Sequence, residues 1–351
     1  MSGKAFLPAG ARRASAVAWV IIALLLIVGG FMLWRVGVFT PSPKVALVTS
    51  GEGPYWDLVI AGAREAAEAF DVKLSIVKSK SDSEAQSASI RELLAKGKYD
   101  GVAVSPVNPI AEAAVLADVS ARSTLVTIDS DSPLSARLCF VGTDNYAAGR
   151  LCADQLRKAL PDGGEVIICI GNPDKENTQR RRQGVIDELL ERNYEPDHAM
   201  DPLEGALKGP QFTVVATLVD HSDPAKTVEL LTAALKDNPN IKGVVGLLGY
   251  STPAILKALE AGGKQGQIKV VGFDNAEETL AGIEAGHVHA SILQDQFGAG
   301  YQAVRILADN ARGNRTGLPI FQRRTLPCEV INVENVKAMR AQLKAEPAAK
   351  S

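Results

Sequence analysis

Little in this chain of 351 residues points to catalysis. No strand-like run is followed by GxGxxG, and there is no Walker A loop, HExxH or GxSxG, so the signatures of phosphate cradling, zinc proteolysis and serine hydrolysis are absent. Ser105 and Ser130 stand at strand ends with no histidine partner in view. Cysteine is scarce. Cys139, Cys152, Cys169 and Cys328 make no CxxC and do not cluster with the four histidines, which excludes a disulfide-dense scaffold and a cysteine zinc site. His198 and His221 fall in polar loops, while His287 and His289 share a strand face and read as surface or satisfied residues rather than metal ligands. Charge of one sign is missing too. With 38 basic against 40 acidic residues, the net charge of −2 gives no footprint for nucleic acid. An enzyme is therefore not expected, nor a cofactor or metal.

What is present is globular: 46% hydrophobic and 22% charged residues, enough chain for two domains. The composition breaks sharply at the N-terminus. Lys4, Arg12 and Arg13 precede an apolar run from Ala14 to Trp34, broken only by Ser15. About twenty such residues at ~1.5 Å each match the ~30 Å hydrocarbon core of a bilayer. Basic residues before the run, and no acidic residue until Glu52, favour a cytoplasmic N-terminus. A cleaved signal peptide has a shorter apolar region, about 7–15 residues, ending at a small-x-small site. Leu33-Trp34-Arg35 offers no such site, and no cysteine follows for lipoprotein processing. The expectation is a basic cytoplasmic segment at 1–13, a transmembrane signal anchor at 14–38 and a linker at 39–43. Everything beyond is extracytoplasmic, with a disordered tail at 342–351.

After the linker, short apolar runs alternate with helical patterns. Strands are expected at Val45–Thr49, Val72–Val77, Gly101–Ser105, Leu125–Asp129, Cys139–Thr143 and Glu165–Ile170, then at Thr213–Val219, Lys242–Leu247, Ile268–Phe273 and His289–Gln294. They are continuous rather than alternating, as expected of strands covered on both faces. Helices fill the intervals, with Ser81 or Ser83 and Thr252 as caps. Repeated βα units imply parallel sheets, and this many strands suit two sheets rather than one.

Ligands in such sheets bind beyond the carboxyl ends of strands, and those ends are polar here. Asp129 and Asp274 can accept hydrogen bonds from vicinal hydroxyls, Arg181 can donate, and Gln294 can do both. Tyr55 and Trp56 offer flat apolar faces for a sugar ring. Each has a plainer reading: a strand-end aspartate also serves as an N-cap, an aromatic also fills a core, and two of Arg180, Arg181 and Arg182 are expected to be solvated. The binding reading comes from their coincidence.

In order along the chain stand Pro54-Tyr55-Trp56, Val126-Thr-Ile-Asp129, Val141-Gly-Thr-Asp144-Asn145, Arg181-Arg-Gln-Gly184, Val270-Val-Gly-Phe-Asp274 and Ala290-Ser-Ile-Leu-Gln294. From about Lys44 to Val333 this order resembles the type I periplasmic binding proteins of sugar transporters, in particular the ribose-binding branch. The resemblance implies two doubly wound parallel-sheet α/β lobes joined by a three-strand hinge. Lobe one would hold 44–143 and 295–326, and lobe two 144–294 and 327–341. It implies a monomer that closes around a monosaccharide or related polyol and presents it to an ABC transporter permease. Tyr55 and Trp56 would sandwich the sugar, with Asp129, Arg181, Asp274 and Gln294 bonding it. The chain departs from the branch at Gly53 (Asn there), at Ser130 (Arg there) and at Leu248-Gly249-Tyr250 (a polar pair there), which argues against ribose and makes Tyr250, with Glu52, a replacement contact. A Cys139–Cys328 disulfide near the hinge is a further expectation. Asp274→Ala or Arg181→Ala is expected to abolish binding with the fold intact. The alternative function is a sensor feeding a chemoreceptor or histidine kinase. A transcription regulator is disfavoured because the apolar span stands where a DNA-binding segment belongs.

Overall fold

The computed structural model describes residues 19–30, 41–195 and 199–345. His198 lies outside them. Of the transmembrane helix expected over 14–38, residues 14–18 and 31–38 lie outside them too. Residues 19–30 are helical and expose Trp19, Leu25 and Leu26, but no helix among the described residues is long and apolar enough to cross a membrane.

Continuous apolar runs become the strands of two sheets. The first contains β1 (Lys44–Val48), β2 (Lys73–Val77), β3 (Gly101–Val104), β4 (Thr124–Ile128), β5 (Cys139–Thr143) and, from far along the chain, β12 (Arg323–Leu326). Their order is β12-β5-β4-β3-β1-β2, parallel throughout. The second contains β6 (Gly164–Ile170), β7 (Leu207–Lys208), β8 (Phe212–Val219), β9 (Ile241–Gly246), β10 (Lys269–Phe273), β11 (Ala290–Gln294) and β13 (Cys328–Asn332), in the order β13-β11-β10-β9-β6-β8-β7. Only its two edge strands, β13 and β7, run antiparallel.

Alternation along each strand feeds two apolar layers. Val45 and Leu47 face one side of the first sheet, against helices Pro54–Ala69 and Gln296–Ala311, while Ala46 and Val48 face helices Ser83–Lys96 and Ala113–Arg122. In the second sheet Val166 and Ile168 face one layer, Ile167 and Cys169 the other. The chain passes between sheets at Thr143–Asn145, Gln294–Gln296 and Leu326–Cys328.

The helices beginning at the first two crossings press into their neighbours through paired glycines. A Cβ on Gly62 would sit 1.9 Å from the Phe297 carbonyl oxygen, and one on Gly300 1.8 Å from that of Val59. In lobe two, a Cβ on Gly149 would meet the Arg181 carbonyl oxygen at 2.0 Å, and one on Gly184 that of Tyr146 at 2.1 Å. Any side chain there forces backbone from backbone.

Several expectations are corrected. Helix Ser83–Lys96 is capped by Asp82, which accepts from the Ala85 N–H at 2.7 Å, not by Ser81 or Ser83. Helix Ser251–Ala261 starts before Thr252, which lies buried inside it. Of the tail expected at 342–351, residues 342–345 belong to helix Val336–Ala345, and 346–351 lie outside the described residues. All four cysteines are free. Cys328 lies beside Thr143 (Sγ to Oγ1 3.8 Å), whereas Cys139 begins β5. The length of that strand, ~13 Å at ~3.3 Å per residue, exceeds the Cα reach of a disulfide, about 7 Å.

Gly149→Val is expected to lower unfolding free energy by about 1–3 kcal/mol or more through overpacking. Urea denaturation checks it, and an unchanged midpoint would mean that the helices do not meet backbone to backbone.

Candidate functional site

The carboxyl ends of both sheets face each other across a cavity of about 1120 Å³. Tyr55, Trp56, Asp129, Arg181, Tyr250, Asp274 and Gln294 all line it, so the structure brings every expected residue together.

Asp129 follows β4 and Asp274 follows β10, the corresponding strand of the other lobe. Both leave the strand in the left-handed region, at φ 59° and 58°. Aspartate tolerates this conformation better than most residues. Each then donates its backbone N–H to the neighbouring strand, Asp129 to the Val141 carbonyl (3.2 Å) and Asp274 to that of Ile292 (2.8 Å). The turn swings both carboxylates into the cleft.

Their surroundings differ. Asp129 accepts from Tyr55 Oη (2.9 Å) and Asn177 Nδ2 (3.1 Å) at Oδ1, and from Ser105 Oγ (2.9 Å) and Lys175 Nζ (3.0 Å) at Oδ2. Burial alone would raise its pKa, but the charges of Lys175 and Arg181 outweigh burial, and the carboxyl is held below its ordinary range. Asp274 accepts from Gln294 Nε2 and Gln296 Nε2, each 3.0 Å from Oδ1. Burial dominates there, Arg181 and Gln294 offset only part of it, and the carboxyl is raised to about 6.

Arg181, 1% exposed, is the most enclosed cation of the site. Its Nε donates to Asn145 Oδ1 (2.8 Å), Nη1 to the Leu247 carbonyl (3.1 Å) and Nη2 to Gln294 Oε1 (2.5 Å), while the guanidinium lies 4.2 Å from the centre of the Phe273 ring. Arg182 is buried as well, donating to Thr217 Oγ1 and to the carbonyls of Asp201 and Pro202. Of the three arginines only Arg180 stays partly in water, against the expectation of two solvated members.

The aromatic residues are also corrected. Tyr55 and Trp56 meet edge to face, with centroids 5.0 Å apart and planes at 83°, so they cannot sandwich one ring between them. The Tyr55 hydroxyl is held by Asp129, and the Tyr250 hydroxyl donates to Asp220 Oδ1 at 2.6 Å, which leaves the Tyr250 ring as the surface facing the cavity.

Lys175 and Asn177 were not anticipated. They sit in the polar segment Gly171-Asn-Pro-Asp-Lys-Glu-Asn177, just past the carboxyl end of β6. The same rule that singled out the other strand ends applies to this one and would have found them.

Two α/β lobes of one plan, with carboxylates, amides and a guanidinium gathered at their facing strand ends, define a two-lobed binding protein. The chain belongs to the type I periplasmic binding proteins, and the family described as a periplasmic binding protein domain matches residues 45–315. It is similar to the D-allose-binding periplasmic protein of Escherichia coli (strain K12), at 25% identity over 296 residues, 82% of this chain and 89% of that protein. It is similar also to the D-ribose/D-allose-binding protein of Pseudomonas aeruginosa, at 26% over 275 residues, 74% of this chain and 79% of that protein. Among solved structures, an ABC transporter solute binding protein from Burkholderia graminis in complex with D-arabinose aligns with a TM-score of 0.75 at 28% identity, covering 84% of this chain and 97% of that one.

The bonds of Arg181 revise the expectation that its loss leaves the fold intact. Arg181→Ala is expected to lower unfolding free energy by about 1–3 kcal/mol or more, because it leaves the buried acceptors of Asn145, Leu247 and Gln294 without their donor. A urea midpoint equal to wild type would contradict this.

Proposed function

We propose that the protein captures a neutral monosaccharide or related polyol in the interlobe cleft, outside the cytoplasm, and delivers it to an ABC transporter permease. One observation carries the reading. The innermost cleft sets Lys175 and Arg181 against Asp129 and Asp274, a balanced set of charged hydrogen-bonding groups that favours an uncharged ligand rich in hydroxyls. Asp274, Arg181 and Gln294 are the polar contacts, and the rings of Tyr55, Trp56 and Tyr250 supply apolar surface. The named ligands of the relatives, allose, ribose and arabinose, support the sugar class. Gly53, Ser130 and Leu248 stand against ribose itself.

A thermal-shift screen of pentoses, hexoses and polyols tests the reading. A ligand at about 100 times its dissociation constant adds about 2.7 kcal/mol, and silence across the panel would sink the sugar assignment. For the sugar that binds, affinity is expected to fall as pH drops through about 6, the value to which burial raises Asp274. Hydroxyl donors favour the carboxylate, so the proton competes with sugar and the dissociation constant rises by up to about tenfold per pH unit below that point. A flat profile from pH 7 to 5 would remove Asp274 from the contact set.

The apolar run at 14–38 anchors the protein in this reading, its basic flank on the cytoplasmic side. The full chain is expected to stay with membranes through an alkaline carbonate wash, and a chain beginning at Lys44 to be released. Release of both would reject the anchor.

A further inference from the structure

Lys175, Glu176 and Asn177 stand in a row where helix Glu176–Leu189 of lobe two begins, and all three reach across to lobe one. Lys175 Nζ lies 2.6 Å from Ser50 Oγ and 3.0 Å from Asp129 Oδ2. Asn177 Nδ2 lies 3.1 Å from Asp129 Oδ1, and Glu176 Oε2 accepts from the Asp131 N–H at 3.4 Å. The ion pair is sheltered, with 15% of the Lys175 side chain and 5% of that of Asp129 exposed, so solvent screens it far less than a surface pair. The Trp56 ring, 5.7 Å from Nζ, closes another side.

A carboxylate offers about four lone-pair directions. On Asp129 all are in use: Tyr55 and Asn177 at one oxygen, Ser105 and Lys175 at the other. Tyr55 and Ser105 belong to the same lobe as Asp129 and stay with it however the lobes move. Lys175 and Asn177 come from the opposite lobe. A sugar hydroxyl can donate to Asp129 only by taking a place that one of these two holds, and the Lys175 ammonium sits on the oxygen nearer Ser50.

We infer that Lys175 is a specificity-determining latch, an internal competitor that holds the lobes together through Asp129 and yields that carboxylate only to a ligand whose hydroxyls can replace it. This rests on the sugar-binding reading above. Molecules latched in this way are withdrawn from binding, so apparent affinity is weakened by the fraction left competent. A latch closed in about nine molecules of ten weakens binding about tenfold. Discrimination follows as well, because a sugar lacking the hydroxyl that meets Asp129 has nothing with which to displace the ammonium.

The test compares wild type with Lys175→Met, Lys175→Arg and Ser50→Ala, each as the full chain in detergent, after circular dichroism has established folding. Calorimetric titration uses the best monosaccharide from the thermal screen and its deoxy analogues. Hydrogen exchange over residues 129–132 and 172–178 is followed without sugar. Lys175→Met is expected to bind the parent sugar about tenfold more tightly, to narrow its margin over the deoxy analogues, and to exchange faster in both segments. Ser50→Ala moves the same way by less and stands in should Lys175→Met not fold, and Lys175→Arg, which keeps the charge, moves less than Lys175→Met. Unchanged or weaker sugar binding by Lys175→Met overturns the competition and makes Lys175 a bystander or a direct sugar contact. If no sugar binds wild type or variant, the sugar reading fails, and exchange alone judges the latch: equal rates in wild type and Lys175→Met reject it.

Discussion

A guanidinium sealed from water stands where two of the three interlobe crossings meet. Arg181 holds Asn145, the first helical residue after one crossing, and Gln294, the last strand residue before another, and it fastens both to the end of β9 through Leu247. A charge so enclosed must keep its partners, since losing any of them leaves it unsatisfied in a medium of low dielectric. The positions of those partners follow. Gln294 is oriented by Arg181 and Thr143 at its oxygen, which leaves its amide to face Asp274. Asn145, oriented in the same way, turns its amide to the Asp129 carbonyl. Both cleft aspartates are thus tied, at one remove, to one buried cation, Asp274 by its carboxylate and Asp129 by its backbone carbonyl.

The lobes repeat a plan down to single residues. An aspartate at φ near 60° ends the corresponding strand in each, its N–H given to the next strand, and a glycine pair brings two helices together behind it. Electrostatics breaks the symmetry. Asp129 has an ammonium within hydrogen-bonding distance and ionises readily, whereas Asp274 is buried among amides and holds its proton up to about 6. Equivalent places in a duplicated fold are thereby given different proton affinities without any change of residue type.

How much of this was legible depended on how local the cause was. β5 was read to the residue, and β1, β6 and β9 to within one, because fully covered strands leave continuous apolar runs. β12 and β13 escaped because Arg323-Arg-Thr-Leu and Cys328-Glu-Val-Ile-Asn carry no such run. They are edge strands, and what places them is pairing with β5 and β11 across long stretches of chain. At the site, residue identities could be read, but their commitments could not. Nothing local says that Tyr250 spends its hydroxyl on Asp220, that Arg182 is held by the carbonyls of Asp201 and Pro202, or that Lys175 reaches another lobe. Those are facts of tertiary distance.

The crossings leave from β5, β11 and β12 and enter β13 at the last, so all gather at the β5–β12 edge of one sheet and the β11–β13 edge of the other. The glycine-paired helices make each lobe stiff behind that edge. Three short straps along one margin suppress sliding and twisting and leave rotation about a single axis, as in a book bound at its spine. Travel on such an axis grows with the lever arm. Asp129 and Asp274, one strand in from the spine, move less than the ends of β2 and β8 toward the fore-edge, so a small angular change at the straps is read as a larger linear one by whatever touches the open margin.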